Sequence, residues 1–137
     1  MRYIKYALLS VAILIICFAY AAGADRKEFT AFIDKDGVQR VEILGGSYFF
    51  NPNYIILKVN VPVEMKIRKE GSIVPHNFLI HAPDAGMDVK VDLGTDPTVI
   101  KFTPTKTGTY PFYCDKKFLF MESHREKGME GMLDVRE

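Results

Sequence analysis

Short stretches of alternating apolar and polar residues, separated by turn residues, run through the chain from residue 39 onwards. In residues 63–68, valine, methionine and isoleucine alternate with charged side chains. A period of two is typical of a strand that buries one face. Because no segment before Phe118 carries a sustained helical period, the pattern predicts an all-β fold.

Other candidate strands include residues 39–44, 47–50, 54–61, 76–81, 109–114 and 131–136. Glycine, proline, asparagine and aspartate punctuate them, as at Asn51-Pro52-Asn53 and Asp96-Pro97. Seven to eight short strands at such spacing predict an antiparallel β-sandwich with Greek-key connections.

Composition narrows the classes of function. The 137 residues carry a formal net charge of +1 and contain no long basic run, so nothing favours nucleic-acid binding. The length and the 48% apolar content fit one globular domain. We expect a monomer.

The N-terminus has the features of a secretory signal peptide. Arg2 and Lys5 precede an uncharged, mostly apolar stretch over residues 6–22, and small residues follow at Ala22-Gly23-Ala24. We predict a signal peptide over residues 1–24 and a mature domain over residues 25–137. The alternative is an uncleaved membrane anchor, for which the apolar stretch is at the short limit. A periplasmic or other extracytoplasmic location follows from either reading.

Removal of the leader takes away Cys17 and leaves Cys114 as the one cysteine of the exported chain. Exported compartments are oxidising, and a lone thiol there usually pairs with another chain or binds a ligand. His76 and His124, with the methionines Met129 and Met132, are further soft donors of the second half of the chain. Two imidazoles, a thiolate and a weak thioether suit copper, although zinc also accepts the first three.

The spacing allows these donors to meet. Cys114 ends a candidate strand, and His124 and Met129 follow it before the last strand. His76, at the start of another strand, must reach them through tertiary folding.

These residues resemble the cupredoxins, the small type 1 or blue copper proteins, especially the plastocyanin- and azurin-like members. The matching motifs are Pro75-His76-Asn77-Phe78, the segment from Gly108 to Cys114, and His124 followed by Gly128-Met129. The resemblance spans roughly residues 41–137.

The resemblance implies a cupredoxin-like sandwich that binds one copper ion in a type 1 site. His76, Cys114 and His124 would be the equatorial ligands, Met129 the axial ligand, and Asn77 an outer partner that ties the ligand loops together. It further implies a carrier of single electrons rather than an enzyme. Its partners would be redox proteins of the cytochrome or oxidase type, with membrane contact if the leader is retained.

The chain departs from the family between Cys114 and His124, where nine residues replace the usual two to four. Asp115 also stands where a small hydroxyl or polar residue is more common. Phe118, Leu119, Phe120 and Met121 form an apolar run. We expect this run to pack against the domain; the alternative is a docking patch for an electron partner.

Two other functions remain open from the residues. One is a periplasmic copper-binding or chaperone protein. The other is a red-copper-type cupredoxin, in which Glu122, Glu126 or Glu130 replaces the methionine and one coordination position stays open. The third histidine, His81, is expected on the surface, because it faces opposite to His76 on an unbulged strand.

Overall fold

A computed structural model describes residues 25–71 and 73–137 of the chain. The predicted signal peptide over residues 1–24, with Cys17, lies outside these residues. In the described part of the chain, no helix is long and apolar enough to cross a membrane.

The described residues form ten strands and one turn of 3₁₀ helix at Pro83–Ala85. The strands are β1 (Glu28–Thr30), β2 (Gln39–Gly46), β3 (Phe49–Asn51), β4 (Tyr54–Lys58), β5 (Val63–Lys69), β6 (His76–Ala82), β7 (Met87–Leu93), β8 (Thr98–Phe102), β9 (Gly108–Tyr113) and β10 (Glu130–Arg136). The all-β prediction is confirmed, but the predicted number of seven to eight strands is too low. The short edge strand β1 has no alternation that would reveal it in the sequence.

The strands pack as two sheets with the orders β1-β4-β10-β9-β6-β7 and β3-β2-β5-β8. The predicted antiparallel arrangement holds for five of the eight strand pairings among the described residues. In the other three, β4 runs parallel to β1 and β10, and β2 runs parallel to β5. Connections pass repeatedly from one sheet to the other, and such crossovers allow parallel neighbours. Alternation marks a half-buried strand but carries no information about the direction of its neighbour.

The core lies between the two sheets. In β5, Val63, Met65 and Ile67 are buried while the residues between them are half-buried or exposed, as the alternation predicts. Three phenylalanine rings from both sheets meet at the centre: Phe50, Phe78 and Phe112, with ring centroids 5.2–5.6 Å apart. Tilted and offset ring contacts of this kind add to the hydrophobic burial.

One end of the sandwich gathers the elements that carry the candidate ligands. The start of β6, the end of β9 and the start of β10 lie there, as do the ends of β2 and β5. We call this the ligand end. The first residue of β1, Glu28, also lies towards this end, because it pairs with Tyr54 of β4, which pairs with Met132 of β10.

Candidate metal centre

His76, Cys114 and His124 meet at the ligand end. His76 opens β6, Cys114 directly follows β9, and His124 lies in the loop between β9 and β10. One ligand atom from each lies within 4.8 Å of the other two, and all three residues are buried. Among the described residues, no Asp or Glu belongs to this group. The fold therefore brings together three donors that are 38 and 10 positions apart in the chain.

The distances suit a single transition-metal ion. The Nδ1 atoms of His76 and His124 are 3.1 Å apart, and the Sγ atom of Cys114 is 3.5 Å from Nδ1 of His124. First-row ions hold nitrogen at about 2.0–2.1 Å and sulfur at about 2.3 Å. Ligands at those bond lengths around one ion are separated by about 3–4 Å. The donor set, two imidazoles and a thiolate, matches the requirement of a copper site.

A backbone hydrogen bond explains how the long loop still delivers His124. The backbone N–H of His124 donates to the carbonyl oxygen of Lys116 at 2.9 Å. This bond closes the loop at its base, so that residues 117–123 project as a separate excursion. His124 therefore lies next to Lys116 in space, although seven residues separate them in the chain. Its distance from Cys114 is that of a loop with only Asp115 and Lys116 in between. The nine-residue spacing therefore does not displace the imidazole.

Met129 is fully buried, and its backbone is hydrogen-bonded to two of the three donor residues. Its N–H donates to the carbonyl oxygen of His124, and its own carbonyl oxygen accepts from the N–H of Cys114. The terminal methyl group of Met129 lies against Gly45, where an added Cβ would be 3.3 Å away. The other two methionines of this region, Met121 and Met132, are exposed and half-buried respectively.

Asn77 joins the two segments that carry His76 and Cys114. Its side-chain NH₂ donates to Asp115 Oδ1 at 2.6 Å, and its side-chain oxygen accepts from the N–H of Asp115 at 3.0 Å. The backbone N–H of Asn77 donates to Cys114 Sγ at 3.4 Å. Lys90 donates to the other carboxylate oxygen of Asp115. Lys90 and then Asn77 lower the pKa of Asp115, so the carboxylate is ionised and accepts both hydrogen bonds.

Tyr48 is a site residue that the sequence reasoning missed. Its ring centroid lies 5.0 Å from that of His124 and 6.4 Å from that of His76, edge to face in both cases. Its backbone has φ +64°, which is uncommon for a residue other than glycine. Gly45-Gly46, just before it, indicates a tight turn in the sequence. No local pattern predicts that this turn lies beside the histidines.

Burial sets the protonation of the three donors. Desolvation lowers the pKa of His76 to about 4, helped by the nearby charges of His124 and Lys69. Desolvation, with the charge of Lys127, also lowers the pKa of His124. Both imidazoles are therefore neutral at pH 7, the form that binds metals. Burial raises the pKa of the Cys114 thiol, so the thiolate needs a cation for its stabilisation.

These shifts predict how the stability of the metal-free protein depends on pH. An unfolded histidine takes up a proton near pH 6.5, whereas folded His76 stays neutral down to about pH 4. In this window the unfolded state binds more protons, so the free energy of unfolding should fall as the pH drops from 6.5 towards 4. Urea denaturation across this range measures the fall. His76→Gln should make the slope shallower than the matched change His81→Gln at the exposed histidine; equal slopes would contradict the assignment.

The remaining polar candidates lie away from the three donors. His81 is exposed and pairs with Asp88 at 3.1 Å, in agreement with its predicted surface position. Glu126 accepts from the N–H of Ser123, Glu130 pairs with Arg125, and Glu122 is exposed. The geometry thus gives no support to a carboxylate ligand in place of Met129.

The apolar run in the loop contradicts its expected packing. Phe118, Leu119, Phe120 and Met121 are exposed by 67%, 72%, 100% and 53%. The expectation that they pack against the domain is wrong, because more than half of the surface of each residue is exposed. The loop that carries them is closed at its base by the hydrogen bond between His124 and Lys116. An apolar run predicts burial, but it does not distinguish burial in the chain's own core from burial in a partner.

Comparison with known proteins gives one family and many structures. The family model described as a cupredoxin-like domain matches residues 7–129. A search of the curated proteins finds no match. Among solved structures, the metal-binding domain of the Cu(I)-exporting P-type ATPase CopA of Streptococcus pneumoniae, with Cu(I), has a TM-score of 0.63 and 21% identity. It is matched over its whole length and covers 83% of this chain.

Two other structures broaden the comparison. Reduced auracyanin from the photosynthetic bacterium Roseiflexus castenholzii has a TM-score of 0.56 at 19% identity, covering 72% of this chain and 97% of its own. A chain of a heme-copper terminal oxidase dimer has a TM-score of 0.57 at 18% identity, covering 98% of this chain and 95% of its own. At such identities these likenesses concern the fold.

Proposed function

This chain belongs to the cupredoxin-like domain family, and from that premise we propose that it binds one copper ion and carries single electrons between redox proteins. His76, Cys114 and His124 are the proposed equatorial ligands, and Met129 is the proposed axial ligand. The observation that carries the proposal is the buried group of two imidazole nitrogens and one thiol sulfur within 4.8 Å.

The donor chemistry favours copper over zinc. A thiolate and two imidazoles with an adjacent thioether form the set that copper electron-transfer sites use, whereas zinc gains nothing from the thioether. Similar structures include a domain solved with Cu(I) and an auracyanin. Copper supplies the one-electron chemistry. The chain supplies a water-excluding site, because all three donors are buried.

The arrangement of the donors favours electron transfer over catalysis. His76 and Cys114 are held at strand ends and tied to each other through Asn77 and Asp115. Ligands fixed by the protein move little when the charge of the site changes, and small movement keeps electron transfer fast. The N–H of Asn77 at the Cys114 sulfur stabilises negative charge there and helps to set the potential. We therefore assign a carrier, not an enzyme.

The sequence features give the proposed setting. Residues 1–24 would export the domain formed by residues 25–137, which would act as a monomer in the periplasm or on the outer face of a membrane. Cytochrome- or oxidase-type proteins are the proposed partners.

The test is redox cycling of the copper-loaded protein. One equivalent of Cu(II) should give an intense visible absorption band from copper–thiolate bonding, which ascorbate bleaches and ferricyanide restores. Repeated cycles should leave the copper bound. A chaperone, the alternative function, should instead release copper to a chelator after reduction. Tight Cu(I) binding without the visible band or reversible cycling would overturn the carrier assignment.

Met129→Gln tests the axial position. A glutamine oxygen is a harder donor than a thioether and stabilises Cu(II) relative to Cu(I), so the reduction potential should fall while copper stays bound. Voltammetry measures the change. Met132→Gln, at a half-buried methionine of β10, is the matched control and should leave the potential unchanged. Equal potentials for both variants and the parent protein would exclude Met129 as a ligand.

A further inference from the structure

Residues 117–123 form an apolar projection that we call the finger. The hydrogen bond between Lys116 and His124 closes its base, and a turn in which the N–H of Met121 donates to the carbonyl oxygen of Phe118 shapes its tip. Four consecutive side chains of the finger are exposed, and the Phe120 side chain is fully so. The finger is thus an ordered excursion with an apolar tip.

A second loop enlarges this apolar surface. Ile73 and Val74, which precede β6, are exposed by 93% and 44%. They line the same cleft as Phe118, Met121 and His124. Apolar side chains from two loops therefore form one continuous surface at the ligand end. Contiguous exposed apolar surface marks a site of interaction.

Amino groups surround this surface. Lys116, Lys117 and Lys127 line the cleft beside the apolar side chains, and among the described residues Glu122 is the one acidic residue that lines it. Lys116 also pairs with Asp92. Apolar groups at a tip with lysines behind them are the arrangement of segments that insert into the boundary of headgroups and acyl chains. Lysines at that depth meet the phosphates of anionic lipids.

The shape favours a bilayer over a protein partner. Phe120 stands at the tip with its whole side chain exposed, so the surface is convex there. A folded partner would need a matching cavity for such a tip, whereas lipid headgroups move aside for it.

The N-terminal end of the domain lies towards the same end. Asn53, just before β4, holds Asp25 and Lys27 by accepting from the N–H of Lys27 and donating to the carbonyl oxygen of Asp25. Asn53 also accepts from the N–H of Met132 in β10. The uncharged, mostly apolar stretch of residues 6–22 precedes this point in the chain. Asp25, the first residue of the predicted mature domain, thus lies towards the end that bears the finger. The predicted leader, where it is still attached, joins the domain at this residue.

We propose that the finger, together with Ile73 and Val74, docks this domain on the surface of a lipid bilayer that contains anionic lipids. Phe118, Leu119, Phe120 and Met121 enter the headgroup region, and the lysines of the cleft contact lipid phosphates. The docking does not depend on bound copper, so the metal-free protein tests it separately from the proposed electron transfer.

A tryptophan reporter tests insertion, because the sequence contains no tryptophan of its own. Phe120→Trp places the reporter at the tip, and Phe32→Trp places it at another exposed phenylalanine, beyond β1 and away from the ligand end. Both are made in the chain from Asp25, which contains every strand and every buried core residue of the part of the chain that the structure describes. When vesicles of equimolar phosphatidylcholine and phosphatidylglycerol are added, the tryptophan emission of Phe120→Trp should shift to shorter wavelength, and that of Phe32→Trp should not. An equal shift in both variants, or no shift in Phe120→Trp, would overturn the proposal.

Vesicle affinity gives the second measurement. Replacing Phe118 and Phe120 together by serine should weaken binding to the mixed vesicles by at least about tenfold, since two apolar side chains lose their burial. The matched change Phe32→Ser should leave the affinity unchanged. Vesicles of phosphatidylcholine alone, or added salt, should also weaken binding, because the lysines act through charge. Unchanged affinity in the double variant, or binding to a membrane protein but to no vesicle, would refute bilayer docking.

Discussion

Cys114→Ser should abolish the visible absorption band that the parent protein develops with Cu(II). The band requires a bond between copper and a thiolate, and a serine hydroxyl neither ionises at neutral pH nor offers a soft donor. We also expect copper affinity to fall by more than about 100-fold, the upper range for the loss of an outer-shell partner. Absorption and competition with a chelator measure the two effects.

His81→Gln is the control for this experiment. It removes the third histidine, whose side chain is exposed and paired with Asp88, and should leave both band and affinity unchanged. His124→Gln, by contrast, should lose the visible band, as Cys114→Ser does. A band that persists in Cys114→Ser would refute the proposed site.

Phe112→Ala should cause the largest loss of stability. The side chain is completely buried and contacts the rings of Phe50 and Phe78 from the centre of the core. Truncation of a buried phenylalanine costs about 3–5 kcal/mol, out of a total of about 5–15 kcal/mol for a domain. Chemical denaturation of the metal-free protein measures the change.

Collapse of the core around the truncated side chain would reduce this cost. Gly131 lies opposite Phe112, and an added Cβ there would overlap the Phe112 ring and the carbonyl oxygen of Asn53. The backbone of β10 thus already touches the ring and limits further approach. Phe32→Ala, the same change at a side chain that is 71% exposed, should alter stability by no more than about 0.5 kcal/mol. Comparable losses in both variants would contradict this account of the core.

The all-β fold class and the proximity of the three donors could both be predicted from the sequence. Period-two alternation follows from the geometry of a strand, so β5 and the core faces could be read directly. His76, Cys114 and His124 stood at strand ends and in the last loop, and few other soft donors were present. Their convergence required only that these elements share one end of the sandwich.

Other features depend on contacts that no local pattern encodes. The parallel pairing of β4 with β10 is set by long-range packing, and Tyr48 reaches the histidines through a turn with positive φ. The role of Asp115 depends on Asn77, which is 38 residues away. Phe118 to Met121 are exposed in a loop that is closed at its base by a hydrogen bond between residues eight positions apart. Hydrophobicity alone therefore predicted the opposite of what is found there.

That hydrogen bond makes the finger a replaceable module. Because Lys116 and His124 are joined directly, the length and composition of the intervening segment can vary without moving the imidazole. Grafting a different segment between these two residues would retarget the domain to another surface while its coordination chemistry stayed the same. The surface to which the domain docks can thus change through mutations in the finger, while the metal ligands stay the same.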